Sequence, residues 1–168
     1  MDLLLNEYKI RIIHPIAFEK WIVYIPKEKN KPLLKRKSPK HGQFDHLFEE
    51  LVFISNYATH KNLSVEALLI IEEEIRNYGG NGSWRRNGWS ILDHNLVGII
   101  DHLLLTQPED YLQFIPKNTP RPFTTIELAQ SRGIPKSIAY KLTYTLRTMQ
   151  LIKQIEKKGR SILYSDQT

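Results

Sequence analysis

The fold class depends on residues 64–76, which read Ser-Val-Glu-Ala-Leu-Leu-Ile-Ile-Glu-Glu-Glu-Ile-Arg. As a helix, this stretch would begin at the N-cap Ser64 and end at Gly79. As a strand, it would have an apolar face made of Val65, Ala67, Leu69, Ile71 and Ile75. The strand is favoured because the helix predicted just before it needs a sheet to pack on, but both periodicities fit.

The residues before this stretch predict a β-meander and a helix. Three runs are rich in β-branched, aromatic or apolar residues and end at a proline, namely residues 9–14, 20–25 and 32–38. Three such runs predict a three-stranded meander. A helix is expected next over residues 44–54, where apolar residues recur at three- and four-residue spacing.

The residues after it predict a loop, a helix and a domain boundary. Residues 78–89 are rich in Gly and Asn. Asp93 can cap a helix that ends near Leu105, with a buried face of Leu96, Ile99, Ile100, Leu103 and Leu104. A short helix over 108–115 and a proline-rich connector come next. The expected domains are therefore an N-terminal α+β module at 1–107 and a C-terminal domain at 108–168.

The C-terminal third has the sharpest local pattern. Thr124 or Thr125 caps a helix over 126–131, and Gly133 lies in the turn that follows. A second helix is predicted over 135–149, with Pro135 in its first turn. Two β-rich runs, joined by a basic turn at 156–161, complete the pattern.

This order resembles the winged helix-turn-helix family. The matching segments are residues 125–129, 133–134, 139–141, 146–152 and 157–160. Gln150 stands where the family often has Gly, and Thr143 stands where a larger apolar residue is usual. The resemblance implies an α+β fold, an N-terminal β-meander plus helices followed by a C-terminal winged helix-turn-helix. It also implies that helix 135–149 enters the major groove of duplex DNA.

That resemblance assigns a set of DNA contacts. On the outer face of the second helix these are Lys136, Ser137, Tyr140, Lys141 and Tyr144, and in the turn between the strands they are Lys157, Lys158 and Arg160. The expected function is a DNA-binding protein, regulatory rather than catalytic, with double-stranded DNA as its partner. A homodimer is compatible, because many regulators of this family read paired half-sites.

The charge is unevenly distributed along the chain. The net charge of +6 arises from two basic segments, 27–40 and 120–168, around an acidic middle at 41–119. Such asymmetry indicates a polyanionic partner. A secondary basic patch is predicted from Lys35, Arg36, Lys37, Lys40, Arg85 and Arg86. A solvated hairpin, or arginines that neutralise the acidic run at 72–74, would explain it as well.

The rest of the chain resembles an uncharacterised prokaryotic protein group. The segments that carry this resemblance are residues 35–40, 72–76 and 84–89. It implies no activity.

An alternative function is a metal-dependent nuclease with a restriction-endonuclease-like N-terminal module. Its catalytic candidates are Glu49, Glu72, Glu74 and Arg76, with Mg²⁺ as the cofactor. The pattern departs from that fold because Arg76 stands where Lys is expected and stays protonated. A solvated acidic cluster is the simpler interpretation. A second alternative is a protein-interaction adaptor.

Several classes of site are excluded by composition. The chain has no cysteine, which excludes disulfides, thiolate metal sites and cysteine nucleophiles. No motif predicts a cofactor, and His94 and His102 are too far apart on a helix to share one ion. The short apolar run at the N-terminus predicts neither a signal peptide nor a membrane span. We therefore expect a cytoplasmic protein.

Overall fold

The computed structural model describes residues 1–26, 32–78 and 88–166, except for the side chain of Lys158. The helices are α1 (Asp2–Glu7), α2 (Phe48–Leu51), α3 (Thr125–Arg132) and α4 (Lys136–Thr148), with 3₁₀ helices at Phe44–Leu47 and Pro108–Phe114. The strands are β1 (Ile10–Ile25), β2 (Leu34–Lys37), β3 (Leu63–Tyr78), β4 (Trp89–Leu105), β5 (Phe123–Thr124), β6 (Ile152–Lys158) and β7 (Ser161–Asp166).

These elements form two compact units. The first comprises residues 1–14, 45–67 and 103–168, and the second comprises residues 15–44 and 68–102. Strands β1, β3 and β4 each contribute residues to both units. The expected domain boundary between residues 107 and 108 divides the sequence once, whereas each unit is made of separate segments. That boundary stays a prediction.

The larger sheet has four strands in the order β2-β1-β3-β4. Residues 64–76 belong to its β3, which confirms the strand that the sequence favoured. In the first half of β3, alternate residues are buried, among them Val65, Ala67 and Leu69. The preference for a strand was correct because β3 has a neighbouring strand on each side.

The predicted β-meander is wrong. Residues 10–25 form one strand of 16 residues that continues through Pro15, and only β2 folds back on it. The register between β1 and β2 runs from the pair Trp21–Lys37 to the pair Tyr24–Leu34. Pro15 therefore lies beyond the part of β1 that β2 covers, at a position where a missing N–H costs no β1–β2 hydrogen bond.

The predicted helix at 93–105 is also wrong, because these residues belong to the 17-residue strand β4 at the edge of the sheet. Leu96, Ile99 and Ile100, which the helical pattern predicts to be buried, are exposed. The stretch contains many apolar residues at both spacings, so periodicity alone did not separate the two structures. These residues form a strand because they pair with β3.

The expected fold class as a whole is corrected. The described part of the chain is mostly β, with 44% strand and 28% helix, and its main feature is a curled four-stranded sheet. The winged helix-turn-helix predicted for 108–168 is not supported. A second sheet, in the order β5-β7-β6, organises this region. The sequence pattern described a local succession of elements, which does not by itself establish a domain family.

Helices α3 and α4 are held by local capping and by apolar packing. The Thr124 side chain accepts a hydrogen bond from the backbone N–H of Glu127, and the Glu127 carboxylate accepts one from the N–H of Thr124. This reciprocal cap stabilises the first turn of α3. Gly133 ends the helix with φ of 71°, a conformation that glycine adopts without strain.

An ion pair in the first unit joins distant parts of the chain. The Asp45 carboxylate is buried and accepts hydrogen bonds from the guanidinium of Arg132. The same guanidinium lies 4.9 Å from the centre of the Phe114 ring, which in turn packs edge-on against Phe48 at 4.7 Å. Charge, cation–π and aromatic contacts therefore meet at one point of this core.

A substitution at Gly42 tests the close packing of this residue against β1. A Cβ at this residue would lie 2.5 Å from the Ile16 side chain and 2.7 Å from the Ala17 carbonyl oxygen. We expect Gly42→Ala to lower the free energy of unfolding by about 1–3 kcal/mol, measured by urea denaturation, because the backbone must move. Gly98→Ala is the matched control, since a Cβ there meets nothing within 4 Å. Equal effects of the two variants would contradict this packing.

Candidate functional site

One face of α4 presents basic and aromatic side chains to solvent. The apolar residues Ala139, Leu142 and Leu146 are buried on the opposite face. The helix contains no acidic residue. Its exposed residues are Lys136, Ser137, Tyr140, Tyr144 and Arg147. Lys136, Tyr140 and Tyr144 follow one another at four-residue spacing and therefore form a continuous row.

The two tyrosines of this row are well exposed for aromatic residues. Tyr140 is 57% exposed and Tyr144 is 47% exposed. The Arg147 guanidinium lies 5.6 Å from the centre of the Tyr144 ring, within the range of a cation–π contact. Arg147 was not among the predicted site residues, although its spacing from Tyr140 and Tyr144 could have indicated it.

The turn between β6 and β7 adds further cations beside α4. Lys153, Lys157 and Arg160 are exposed on this hairpin, together with the acidic Glu156. A cleft of about 80 Å³ is lined by Tyr140 of α4 and by Arg160 and Tyr164 of the hairpin. The predicted residues Tyr140 and Arg160 therefore border the same cleft. The side chain of Lys158 is outside the described part of the chain.

Lys141 differs from the other predicted contacts. It is half-buried, and its Nζ lies 4.0 Å from a carboxylate oxygen of Glu49. Its charge is therefore partly compensated within the protein. Glu49, a candidate metal ligand in the nuclease alternative, serves here as the partner of a lysine.

A second cluster, in the other unit, surrounds Glu74 on β3. Its carboxylate is only 5% exposed and contacts the guanidinium of Arg76 at 2.5 Å and the Nζ of Lys20 at 3.2 Å. The same lysine contacts Glu72 at 2.6 Å, and Glu72 lies 3.3 Å from Nδ1 of His94. The predicted residues Glu72, Glu74 and Arg76 share one face of β3, as alternate strand residues must.

The cations set the ionisation of this cluster. Burial raises the pKa of the Glu74 carboxyl, but hydrogen bonds from Arg76 and Lys20 lower it more, so the pKa lies below its usual value. For Lys20, burial lowers the pKa, and the contacts with Glu72 and Glu74 outweigh it, so the pKa lies above its usual value. Both groups are therefore charged at neutral pH.

Three side chains of the cluster could share a metal ion. One ligand atom from each of Glu72, Glu74 and His94 lies within 4.8 Å of the others. Among the residues that the structure describes, Glu49 is not part of this group. Sequence reasoning did not link His94 or Lys20 to the carboxylates, because His94 was placed on a helix and Lys20 lies on a strand far from Glu72 in sequence.

Two lysines of the secondary basic patch have carboxylate partners. Lys35 contacts Glu73 and Lys37 contacts Glu19, each at 2.6 Å. Arg36 donates a hydrogen bond to the hydroxyl of Tyr24 at 3.1 Å. These lysines therefore offer less charge to a polyanion than the sequence indicates. Arg85 and Arg86 lie outside the described residues.

Comparisons with known proteins identify the N-terminal part of the chain. The model of a domain of unknown function, DUF8091, matches residues 1–106. The chain belongs to the DUF8091 family. An uncharacterised protein of Treponema pallidum (strain Nichols) is 25% identical over 161 residues. The match covers 96% of this chain and 63% of that relative, so the chain spans less than two thirds of the relative's length. No solved structure matches.

These comparisons correct the family expected for the C-terminal third. The family model ends before residue 108, and the matching relative is uncharacterised. Neither supports a winged helix-turn-helix. Separately, no helix in the described part of the chain is long and apolar enough to cross a membrane.

The ion cluster predicts how stability depends on pH. We expect Glu74→Gln to lower the free energy of unfolding by about 1–3 kcal/mol at pH 7, because Arg76 and Lys20 lose a buried partner. A lowered carboxyl pKa stabilises the fold above the pKa of the unfolded chain and ceases to do so as pH falls through the folded-state pKa. The deficit of the variant should therefore shrink below about pH 4.

The measurement is urea denaturation at a series of pH values. Glu73→Gln is the matched control, since Glu73 pairs with the more exposed Lys35. We expect its effect to be below about 1 kcal/mol. A deficit of Glu74→Gln that stays constant down to pH 3 would contradict the assignment.

Proposed function

We propose that this chain binds double-stranded DNA in a regulatory, non-catalytic role, through the exposed face of α4 and the β6–β7 turn. The observation that supports this most is the composition of that face. It combines Lys136 and Arg147 with two exposed tyrosines, on a helix without a carboxylate. An acid-free basic face favours contact with a polyanion over contact with an ordinary protein surface.

The geometry of a helix suits the major groove, which is wide enough to admit one. Lys136 and Arg147 lie near opposite ends of the 13-residue α4. In this arrangement they contact phosphates, while Tyr140 and Tyr144 lie between them and face the groove. Ser137 lies in the first turn, where the free N–H groups of the helix also attract phosphate.

The hairpin extends the same surface. Lys153, Lys157 and Arg160 are exposed on it, and Arg160 borders the cleft that Tyr140 lines. Contacts from these cations to the phosphate backbone would add affinity without sequence preference. We therefore expect binding that depends strongly on salt and only modestly on DNA sequence.

A double variant tests this surface. We expect Lys136→Ala with Arg147→Ala to weaken duplex binding about 10- to 100-fold at ~50 mM salt, measured by fluorescence anisotropy of a labelled duplex. The slope of log affinity against log salt should become shallower by about 1 to 2, since each lost phosphate contact removes about 0.9. Lys141→Ala should have a smaller effect because Glu49 already shares that charge.

The control is Lys61→Ala with Lys117→Ala, which removes the same charge from two exposed lysines that belong neither to α4 nor to the β6–β7 hairpin. If both double variants weaken binding equally, only net charge matters and the α4 face is not the contact surface. If the unchanged protein does not bind a duplex at ~50 mM salt, the proposed function is wrong.

A metal-dependent nuclease is the second candidate, and the group Glu72, Glu74 and His94 favours it. Two carboxylates and an imidazole can hold a divalent ion that activates water for attack on a phosphodiester. Lys20 and Arg76 already neutralise the carboxylates, so a metal ion would have to displace the Lys20 ammonium from Glu72.

Addition of Mn²⁺ in the absence of DNA tests whether this metal site exists. A real site should raise the midpoint of thermal unfolding when MnCl₂ is added, and Glu72→Gln or His94→Ala should abolish the rise. His102→Ala, on the same face of β4, should leave it unchanged. A duplex that is cut in Mn²⁺ by the unchanged protein, and not by Glu72→Gln, would establish catalysis. No thermal shift in the unchanged protein would exclude the site.

A further inference from the structure

Strand β4 forms an edge of the sheet and exposes apolar side chains on both of its faces. Leu96 is 62% exposed and Ile100 is 47% exposed on one face, while Val97 and Ile99 are exposed on the other. Protein edges of this length usually carry lysines, prolines or bulges that prevent pairing with another chain. The 17 residues of β4 contain neither Lys nor Pro.

The sequence of β4 repeats after eight residues. Ile-Leu-Asp-His at 91–94 returns as Ile-Ile-Asp-His at 99–102. Both aspartates accept a hydrogen bond at 2.8 Å from the backbone N–H of the histidine that follows. On one face of the strand the order from residue 94 to residue 102 is His, Leu, Gly, Ile, His. This order of residue types is nearly the same in both directions, with Gly98 at its centre.

Nothing in the described part of the chain requires a glycine at position 98. A Cβ at this residue would meet nothing within 4 Å, and its φ lies outside the left-handed region. Glycine in the interior of a strand weakens the strand and is typical of places where another backbone approaches closely. Among the residues that the structure describes, no such backbone approaches Gly98, so the space beside it is open to another molecule.

We propose that a second copy of this chain pairs with β4 in antiparallel fashion, with the two-fold axis at Gly98. The two sheets then join into one continuous sheet across the dimer. An isologous interface of this kind needs a surface that is complementary to itself. The order of residues about Gly98 meets that requirement, because the four apolar residues within two positions of Gly98 each face an apolar residue of the other copy.

The pairs in this register are specific. Leu96 lies opposite Ile100 of the second copy, His94 lies opposite His102, and Val97 lies opposite Ile99. Asn95 lies opposite Asp101, so an amide that can donate faces a carboxylate that can accept. Opposed residues of antiparallel strands are close enough for these contacts.

Repulsion between two aspartates disfavours one neighbouring register of the paired strands. A two-fold axis at Val97 would place Asp93 directly opposite Asp101, and like charges in opposed positions are destabilising. The axis at Gly98 places Leu103 opposite Asp93 instead. This choice of partner is independent of the proposed function, since it does not involve α4 or the β6–β7 turn.

Sedimentation equilibrium of the full chain tests the dimer. We expect a dimer whose dissociation constant rises at least about tenfold in Leu96→Lys with Ile100→Lys, because lysines replace the apolar pairs. Phe53→Lys is the matched control, since Phe53 is 78% exposed and lies outside β4. It should leave the dissociation constant unchanged. Thermal unfolding at low concentration shows whether each variant is folded.

A single cysteine tests the register. The chain has no cysteine of its own, and the space at Gly98 accepts a Cβ. Because Gly98 faces its own copy across the axis, Gly98→Cys should form a disulfide-linked dimer under mild oxidation. Leu92→Cys is the control, since two copies of residue 92 would be about 40 Å apart along the strands. It should stay monomeric on a non-reducing gel.

Three outcomes would overturn the proposal. The unchanged chain could be a monomer at all concentrations, which would leave β4 without a second copy. The dimer could persist unaltered in the folded lysine variant, which would place the interface elsewhere. The two cysteine variants could cross-link equally, which would exclude an axis at Gly98. Loss of DNA binding in the α4 variant would bear on none of these results.

Discussion

The structure depends on the extended conformation of β3. This strand has β1 on one side and β4 on the other, and its 16 residues contribute to both compact units. In its first half, Val65, Ala67 and Leu69 are buried. Its second half carries Glu72 and Glu74. A helix at the same residues would have offered neither edge to a neighbouring strand. The sheet, the ion cluster and the exposed β4 edge all follow from this one choice.

The two units use charge in different ways. In the unit that contains residues 68–102, Glu72, Glu73 and Glu74 each have a cation nearby, so Lys20, Lys35 and Arg76 stabilise the fold. In the other unit, α4 has cations but no acid. Among the described contacts of its cations, Lys141 has a carboxylate nearby, that of Glu49 at 4.0 Å. A net charge of +6 therefore understates how strongly basic the α4 face is. The position of the counter-ions is more informative than the total.

Sequence reasoning was most successful where local chemistry decides the structure. The N-cap Thr124, the turn at Gly133 and the helix α4 could be predicted, because caps and helical periodicity are properties of neighbouring residues. It was wrong where a distant strand decides. Residues 93–105 fit a helix by spacing, but pairing with β3 made them a strand, and Pro15 did not end β1. The domain family was wrong because a local order of elements does not specify tertiary structure.

The candidate sites show the same division. Lys136, Tyr140 and Tyr144 were found because one helix presents them together, whereas Lys20 and His94 come from separate strands and no spacing links them to Glu72. Long-range pairing of strands has to be known before such residues can be grouped. The contact of Glu49 with Lys141 could not be predicted for the same reason, since the two residues are far apart in sequence.

The ion pair of Asp45 and Arg132 has a consequence for how the chain is made. The first unit contains residues 1–14 and 45–67 but also residues 103–168, so it lacks a large part of its core until the last segment has been synthesised. Until then, the Asp45 carboxylate has no guanidinium and Phe48 has no Phe114 to cover it. A chain that stopped at residue 106, where the family model ends, would keep both of these surfaces uncovered. The family domain of this protein is therefore completed by residues beyond the match.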